Sequence, residues 1–241
     1  MFILQKKSKI QQLIAYETEL ISLNIGGLTV DIERVTNIDA LYAELVAKGE
    51  EHEDFKDERI PYWAELWASA LALSEYLVAA KLDFQGKKVL EIGAGLGLPS
   101  IVAAKLGAAV CVTDYLPEAV DFSRKNFQRN NLQNVEFDVL DWRNPNKTFA
   151  ADIVLAADVA YENRMFEYLP IAFKTLCKPG GTIFLSEPNR GLAQFFLKDL
   201  DNQGFKIEKI TVPITLFDIQ YNINVLKINV LDISQESKSL S

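Results

Sequence analysis

A glycine-rich loop between an apolar strand and a helix constrains this chain more than any other segment. Residues 88–100 read KVLEIGAGLGLPS, with glycine at Gly93, Gly95 and Gly97. Because glycine lacks a Cβ, such a loop can turn sharply and bring backbone N–H groups against a ligand. The helix that follows adds a partial positive charge at its N-terminus. The segment therefore predicts a nucleotide-type cofactor site at the C-terminal end of a parallel strand.

Strand and helix patterns alternate from residue 87 onward. Strand-like runs lie at 88–92, 109–113, 135–139, 152–157 and 181–186, with helix-like stretches at about 98–106, 117–130, 163–176 and 190–202. Short apolar strands separated by helices predict a doubly wound, mostly parallel sheet covered on both faces. The runs 205–216 and 223–231 have no helix between them, so they predict an antiparallel pair at one sheet edge. We therefore expect a Rossmann-like α/β fold with seven strands and an antiparallel C-terminal edge strand.

The first 60 residues show a different pattern, which predicts an N-terminal extension. Two short strands around Gly26 and Gly27 predict a small hairpin, and residues 38–48 predict a helix. The expected division is an extension at 1–60, the α/β domain at 61–232 and a disordered tail at 233–241.

A stretch rich in aromatic residues begins the α/β domain. Residues 61–81 read PYWAELWASALALSEYLVAAK, and the proline start and apolar repeat predict a long amphipathic helix. Trp63 and Trp67 lie four residues apart, so we expect both rings on one face of that helix.

Composition limits the classes of partner. The net charge of −8 argues against binding to a nucleic-acid backbone and suits a basic partner, such as a protein that presents lysine. No run approaches the ~18 apolar residues of a membrane helix, and the start does not resemble a signal peptide, so we expect a cytoplasmic protein without a membrane partner. Cys111 and Cys177 lie in apolar patterns and are expected to be reduced core residues. The single histidine, His52, has no second histidine with which to share a metal.

Acidic residues follow the next two strands. The dinucleotide fingerprint would place its third glycine at position 98, where this chain has Leu98. Asp114 ends the second strand, where it can accept hydrogen bonds from both ribose hydroxyls, although an acidic residue serves NAD there as well. Asp141 and Trp142 follow the third strand, where a carboxylate can accept from an adenine amino group and an indole can cover the ring.

The spacing E-x-G-x-G-x-G, from Glu91 to Gly97, resembles motif I of class I S-adenosylmethionine-dependent methyltransferases. The resemblance implies that S-adenosylmethionine is the methyl donor and that S-adenosylhomocysteine is the product. No metal is expected, because the spacing of the cysteines does not resemble a metal site and the single histidine has no partner. The resemblance places the glycine loop on the methionine part of the cofactor. The residues expected to contact the cofactor are Trp67, Glu91, Gly93, Gly95, Gly97, Asp114, Asp141, Trp142 and Ala157.

A second motif follows the fourth strand. Asp158-Val159-Ala160-Tyr161 matches the D-x-x-Y motif of the seven-strand protein-lysine methyltransferases in the methyltransferase-like group. The aromatic stretch and residues 95–115 are also similar to that group, including members once named nicotinamide N-methyltransferase-like. The resemblance spans roughly residues 60–190, with Ala68 where the family usually has proline. It implies that Asp158 orients an arriving lysine amine and that Tyr161 lines its channel, where an aromatic face tolerates the developing cation.

Several alternatives remain open from the sequence. The acceptor is a lysine of a protein or a small pyridine-type amine, and a cofactor-binding protein without transferase activity is a third possibility. A nucleic-acid base is disfavoured, because D-V-A-Y replaces an N-P-P-Y-type motif. Asp158 can also be read as a helix N-cap, Glu91 as an anchor of the loop backbone and Trp63 as core packing. The oligomeric state is left open.

Overall fold

The computed structural model describes residues 16–57 and 59–230. The tail expected at 233–241 lies outside these residues. No helix in the described ranges has the length and apolar character needed to cross a membrane.

A β-hairpin opens the described chain. Strand β1 (Thr18–Ile25) pairs antiparallel with β2 (Leu28–Val35), and the turn between them holds Gly26 and Gly27 at positive φ. Helices α1 (Ile38–Lys48) and α2 (Glu53–Lys56) follow. The predicted hairpin and the predicted helix at 38–48 are both confirmed.

The hairpin is attached to the rest of the protein through side-chain amides. Asn126 accepts a hydrogen bond from the Glu33 backbone N–H (2.8 Å), and Asn130 accepts one from the Asp31 backbone N–H (3.1 Å). Both asparagine amides also donate to carbonyl groups of the same strand. An unpaired strand edge exposes a row of backbone groups, and these two side chains satisfy part of that row on β2.

The segment from Pro61 to Ala79 differs from the predicted continuous helix. A 3-10 turn covers Tyr62–Ala64, Glu65 is extended, and helix α3 (Ala68–Ala79) begins only after Trp67. The indole N–H of Trp67 donates to the Tyr62 carbonyl (2.7 Å), which closes the turn before the helix starts. The prediction that Trp63 and Trp67 share one helix face is therefore wrong.

Helix α3 is also less amphipathic than expected. Its buried residues lie around most of its circumference: Ala68, Ser69, Leu71, Ala72, Leu73, Ser74 and Leu77. The helix packs on the sheet and against its neighbouring helix, so little of its surface remains for solvent.

A seven-stranded sheet forms the centre of the molecule. Its strands in chain order are β3 (Lys88–Ile92), β4 (Ala109–Asp114), β5 (Glu136–Val139), β6 (Ala151–Ala157), β7 (Cys177–Glu187), β8 (Phe205–Leu216) and β9 (Ile219–Val230). Their spatial order is β5-β4-β3-β6-β7-β9-β8. Strands β3 to β7 are parallel, and β9 is antiparallel to both of its neighbours. The Rossmann-like fold is confirmed, with the antiparallel strand one place inside the edge that β8 occupies.

Helices cover both faces of this sheet. The remaining ones are α4 (Leu98–Lys105), α5 (Pro117–Arg129), α6 (Leu169–Leu176) and α7 (Gly191–Asn202). Residues of α3, α4 and α5 form one core cluster with the N-terminal hairpin, whereas α6 and α7 contribute to the other. Neighbouring strand residues alternate between the two: Val89 belongs to the first cluster and Leu90 to the second. This alternation is the pattern expected of a doubly wound sheet.

Two predicted boundaries shift in the structure. The helix expected at 163–176 is a 3-10 turn at Asn163–Met165, and α6 begins at Leu169 with Pro170 in its first turn, where a missing N–H costs least. Strand β7 starts at Cys177 because that residue already pairs with Ala151, across an irregularity in the ladder.

The two cysteines are buried and free, as expected of core thiols. Burial raises the pKa of Cys111 and of Cys177 to about 11, so both thiols stay protonated at neutral pH.

A buried carboxyl group supports the start of α4. Glu91, on β3, is fully buried, and its Oε2 accepts a hydrogen bond from the backbone N–H of Ser100 (3.1 Å) in the first turn of the helix. Burial raises the pKa of Glu91 to about 8. The side chain therefore holds its proton at neutral pH while it anchors the helix that follows the glycine loop.

This buried carboxyl group predicts a pH-dependent stability. The folded protein keeps a proton on Glu91 up to pH of about 8, whereas the unfolded chain releases it near the ordinary value of 4.5. The contribution of Glu91 to the free energy of unfolding is fully present below the pKa of the unfolded chain. It is lost as the pH rises through the pKa of the folded protein, with a slope of up to about 1.4 kcal/mol per pH unit. Urea denaturation from pH 5 to 9 measures this loss.

The Glu91→Gln variant should remove that part of the pH dependence, because its side chain stays neutral throughout. Glu51→Gln is the matched control, since the Glu51 side chain is 95% exposed. Equal slopes for Glu91→Gln and the unmodified protein would show that Glu91 is already ionised at neutral pH.

Candidate active site

A cavity of about 380 Å³ opens at the carboxyl ends of the central parallel strands. Every residue that the sequence assigned to the cofactor or acceptor lines it, except Glu91: Trp67, Gly93, Gly95, Gly97, Asp114, Asp141, Trp142, Ala157, Asp158 and Tyr161. Glu91 lies behind the glycine loop, where it anchors the backbone of α4 instead. Parallel strands place their carboxyl ends at one edge of a sheet, so motifs distant in the chain meet here.

The glycine loop forms the floor of this cavity. Gly93, Gly95 and Gly97 have φ values of 61°, 53° and 80°, which side chains rarely adopt. A Cβ on Gly95 would lie 3.3 Å from the Trp63 carbonyl oxygen, so the backbone of the 3-10 turn packs closely on the loop. The Trp63 ring is 9% exposed and its centroid lies 5.3 Å from that of Phe122. Trp63 therefore supports the loop through core packing.

Asp114 fastens the loop to the end of β4. Its Oδ2 accepts a hydrogen bond from the Gly95 backbone N–H (2.9 Å), and its Oδ1 accepts one from the Leu116 backbone N–H (3.0 Å). The carboxylate is 8% exposed and lines the cavity, and burial raises its pKa. Each carboxylate oxygen can accept more than one hydrogen bond, so both oxygens can also serve a ligand with two hydroxyl groups.

Asp141 and Trp142 form the neighbouring wall. Trp142 is 8% exposed. Asp141 is held by Arg143, whose Nε donates to Oδ1 (2.8 Å) and whose second terminal nitrogen donates to Oδ2 (2.9 Å). This two-point contact fixes the plane of the Asp141 carboxylate at the cavity wall.

Arg143 joins this wall to the segment before the aromatic turn. It donates to Asp57 Oδ1 (2.7 Å), and its guanidinium lies 4.7 Å from the ring centroid of Tyr115. Arg59 packs on the same ring at 5.1 Å and donates to the Tyr115 hydroxyl (2.9 Å). Burial acts against ionisation of Asp57, but hydrogen bonds from Arg143 and Tyr115 lower its pKa to about 2. The ion pair of Asp57 with Arg143 and the contact of Arg59 with Tyr115 thus hold the chain before Pro61 at the cavity rim.

Asp158 is fixed at the other end of the cavity by two elements. Its backbone N–H donates to the Ser186 carbonyl (2.9 Å) on β7, and its Oδ2 accepts from the Ser69 hydroxyl (3.0 Å) on α3. Ser186 in turn donates to the Ser69 carbonyl (2.8 Å), and both serines are fully buried. Asp158 has a φ of 59°, a conformation that costs a non-glycine residue energy and persists where its surroundings enforce it.

The reading of Asp158 as a helix N-cap is excluded. Glu162 precedes the 3-10 turn, and Tyr168 precedes α6. The remaining oxygen of Asp158, Oδ1, forms an ion pair with Arg190.

Aromatic rings border the cavity near Asp158. The Tyr161 and Tyr62 ring centroids lie 5.7 Å apart, and those of Tyr62 and Trp67 lie 5.8 Å apart, both edge to face. Burial raises the pKa of Tyr161 to about 12, so its hydroxyl remains protonated at neutral pH. A carboxylate bordered by aromatic faces suits a cationic or amine-bearing ligand.

Sequence reasoning missed several residues of this site. Arg143 and Tyr115 each directly follow a residue that was predicted, so adjacency was an available signal. Asp57 lies in a charged stretch that gave no local sign of a place at the cavity, and Arg190 gave none either. Among the described residues, no group of three or more histidine, cysteine, aspartate or glutamate side chains is arranged to hold a metal ion.

Comparison with other proteins finds relatives that are similar in sequence. EEF1A lysine methyltransferase 3 of Mus musculus is 36% identical over 156 residues, which cover 62% of this chain and 67% of that protein. The histone-arginine methyltransferase METTL23 of Mus musculus is 39% identical over 114 residues, which cover 45% of each chain.

A solved structure agrees at the level of the fold. A TehB-like S-adenosylmethionine-dependent methyltransferase from Corynebacterium glutamicum superposes with a TM-score of 0.53 at 15% identity, covering 81% of this chain and 97% of that one. A family model described as lysine methyltransferase matches residues 55–203, more than half of the chain, including the glycine loop, Asp114 and the D-x-x-Y motif. With the fold and the motifs in agreement, this chain belongs to the lysine methyltransferase family of S-adenosylmethionine-dependent enzymes.

Proposed function

We propose that this chain transfers a methyl group from S-adenosylmethionine to the ε-amine of a lysine in a protein substrate, with Asp158 as the acceptor of the amine's hydrogen bond. The observation that carries this proposal is the position of Asp158: its carboxylate lies at the cavity, held by Ser69, and the ring of Tyr161 borders the same space. The net charge of −8 favours a partner that presents basic side chains.

The residues present fit the cofactor. The glycine loop offers backbone without side chains, and a Cβ on Gly95 would already be in tight contact with the Trp63 backbone. We assign the two-oxygen carboxylate of Asp114 to the ribose hydroxyls. Arg143 fixes the plane of the Asp141 carboxylate, and we assign this carboxylate as the acceptor of the adenine amino group. We assign the buried Trp142 ring to the face of the adenine. Trp67 and Ala157 border the same cavity.

The chemistry asks little of the protein beyond positioning. When bound, the cofactor supplies a methyl group that is already activated by its sulfonium. The chain must hold an unprotonated amine in line with the bond that breaks and keep water away, and orientation of this kind contributes on the order of 7–11 kcal/mol. Asp158 accepts a hydrogen bond from the amine and so aims its lone pair. Tyr161 and Tyr62 border the amine with aromatic surface, which tolerates the positive charge of the product.

Labelling identifies the acceptor. The protein is incubated with S-adenosylmethionine carrying a radioactive methyl group and a lysate of its source, and labelled material is hydrolysed to amino acids. We expect the label in methylated lysine on a protein. Label confined to small molecules, or recovered as methylarginine, would contradict the proposed acceptor. Absence of any S-adenosylmethionine binding in calorimetry would contradict the cofactor assignment as well.

The Asp158→Asn variant tests the acceptor role. An amide of the same shape loses the charge and one acceptor, so we expect the methyl-transfer rate to fall by about 10²-fold, the cost of a misdirected nucleophile. Cofactor affinity measured by calorimetry should stay within a few-fold. Asp121→Asn is the control, since the Asp121 side chain is 74% exposed on α5. A large loss of cofactor affinity in Asp158→Asn would place this carboxylate at the cofactor instead.

The Asp114→Asn variant tests the ribose assignment. Hydrogen bonds to a charged group contribute about 1.5–3 kcal/mol, so the dissociation constant for S-adenosylhomocysteine should rise by about 10- to 100-fold. Calorimetry measures this constant, and thermal unfolding checks that the loop remains folded. An unchanged constant would remove Asp114 from the cofactor site.

A further inference from the structure

The carboxylate that is assigned to the acceptor amine already carries a fixed cation. Arg190 forms an ion pair with Asp158 Oδ1, and both side chains line the cavity. The Asp158 side chain is 9% exposed and that of Arg190 is 33% exposed, so the pair lies at the inner wall with one side open. Oδ2 of Asp158 accepts from the neutral Ser69 hydroxyl.

The backbone of Arg190 is fixed as well. Arg190 is the N-cap residue of α7, and its backbone N–H donates to Oε2 of Glu187 (3.0 Å) at the end of β7. Glu187 is 2% exposed, and its Oε1 accepts from the Asn224 amide (2.6 Å) on β9. The Arg190 backbone is therefore fixed at the end of β7, and its guanidinium contacts Asp158 from that position.

Other ionisable groups border the same cavity. They are Asp57, Arg59, Tyr62 and Glu65 before α3, Asp114 and Tyr115 at the end of β4, Asp141 and Arg143 after β5, and Tyr161 and Arg164 after β6. Of the described groups, Arg190 is the cation for which a direct ion pair with Asp158 is observed. It therefore sets the charge that an arriving amine meets at this carboxylate.

An isolated carboxylate would hinder the reaction. A lysine amine has an ordinary pKa of ~10.4 and must lose its proton before it can attack a methyl group. A negative charge within ~4–6 Å stabilises the ammonium form and raises that pKa by about 1–3 units. A carboxylate already compensated by a guanidinium still accepts a hydrogen bond, yet it no longer holds the substrate as an ammonium ion. Arginine suits this role because its guanidinium stays protonated.

We propose that Arg190 is a positioning residue that compensates the charge of Asp158, so that this carboxylate does not hold the arriving lysine amine in its ammonium form. This inference rests on the proposed function, because it takes Asp158 as the acceptor of the amine. The ammonium first gives its proton to water. The free lone pair then forms the N–C bond as the S–C bond breaks, which leaves a methylated ammonium and the neutral thioether of S-adenosylhomocysteine.

The pH profile of methyl transfer tests the inference. Initial rates of label transfer to lysate proteins are measured from pH 6.5 to 10 for the unmodified protein, Arg190→Gln and Arg190→Lys. The control is Arg124→Gln, which removes an arginine from α5 outside the cavity. Calorimetry with S-adenosylhomocysteine confirms that each variant still binds cofactor.

For Arg190→Gln we expect the pH at which the methyl-transfer rate is half-maximal to rise by about one unit, because removal of one neighbouring positive charge changes the acid dissociation constant of the amine by about tenfold. The rate of this variant should recover at high pH. Arg190→Lys and Arg124→Gln should follow the profile of the unmodified protein. A rate for Arg190→Gln that is lower by one factor at every pH would overturn the inference, because a structural tie between β7 and β6 would give that result.

Binding of n-butylammonium chloride, a mimic of the lysine side chain, separates this inference from the proposed function. In the presence of S-adenosylhomocysteine at pH 7, Arg190→Gln should bind the probe about tenfold more tightly than the unmodified protein. Adding Asp158→Asn should abolish the gain. Tighter probe binding without any labelled protein would refute the proposed function alone, whereas labelled lysine with no tightening would refute the role of Arg190 alone.

Discussion

The site depends on a hydrogen bond between two strand ends. The Gly95 backbone N–H donates to the buried Asp114 carboxylate, which joins the loop after β3 to the end of β4. The contact requires a parallel sheet, since only then do neighbouring carboxyl ends lie side by side. It also requires glycine, because Gly95 has a positive φ and the Trp63 backbone lies against it. Asp114 is 8% exposed, so its carboxylate is largely shielded from solvent beside the backbone groups that donate to it.

The two ends of the cavity are built in different ways. At one end, backbone N–H groups hold the Asp114 carboxylate, and the ion pairs of Arg143 join the preceding segment to the cavity rim. At the other end, Ser69 and Ser186 lock Asp158 to α3 and β7. We propose that the end at Asp114 holds the cofactor and that the end at Asp158, which aromatic rings border, receives the acceptor. Methyl transfer to lysine needs both a bound cofactor and an aligned acceptor amine, since orientation is the main contribution of the protein.

The sequence predicted the parts of this structure that are determined by residues close together in the chain. Apolar runs between helices defined the sheet, and the spacing from Glu91 to Gly97 defined the loop, because glycine positions and strand ends are set by short-range chemistry. The aromatic turn was mispredicted, since the bond from the Trp67 indole to the Tyr62 carbonyl overrides the helical repeat. Arg190 could not be predicted, because its contact with Asp158 spans 32 residues and depends on tertiary packing.

A crystal structure of the complex with S-adenosylhomocysteine tests the central claim most directly, namely that one cavity orients a cofactor towards a fixed acceptor carboxylate. The account predicts that the ribose hydroxyls donate to Asp114, that adenine lies between Asp141 and Trp142, and that the sulfur faces Asp158 and Tyr161. A sulfur atom that faces away from Asp158, or a ribose that does not reach Asp114, would contradict it.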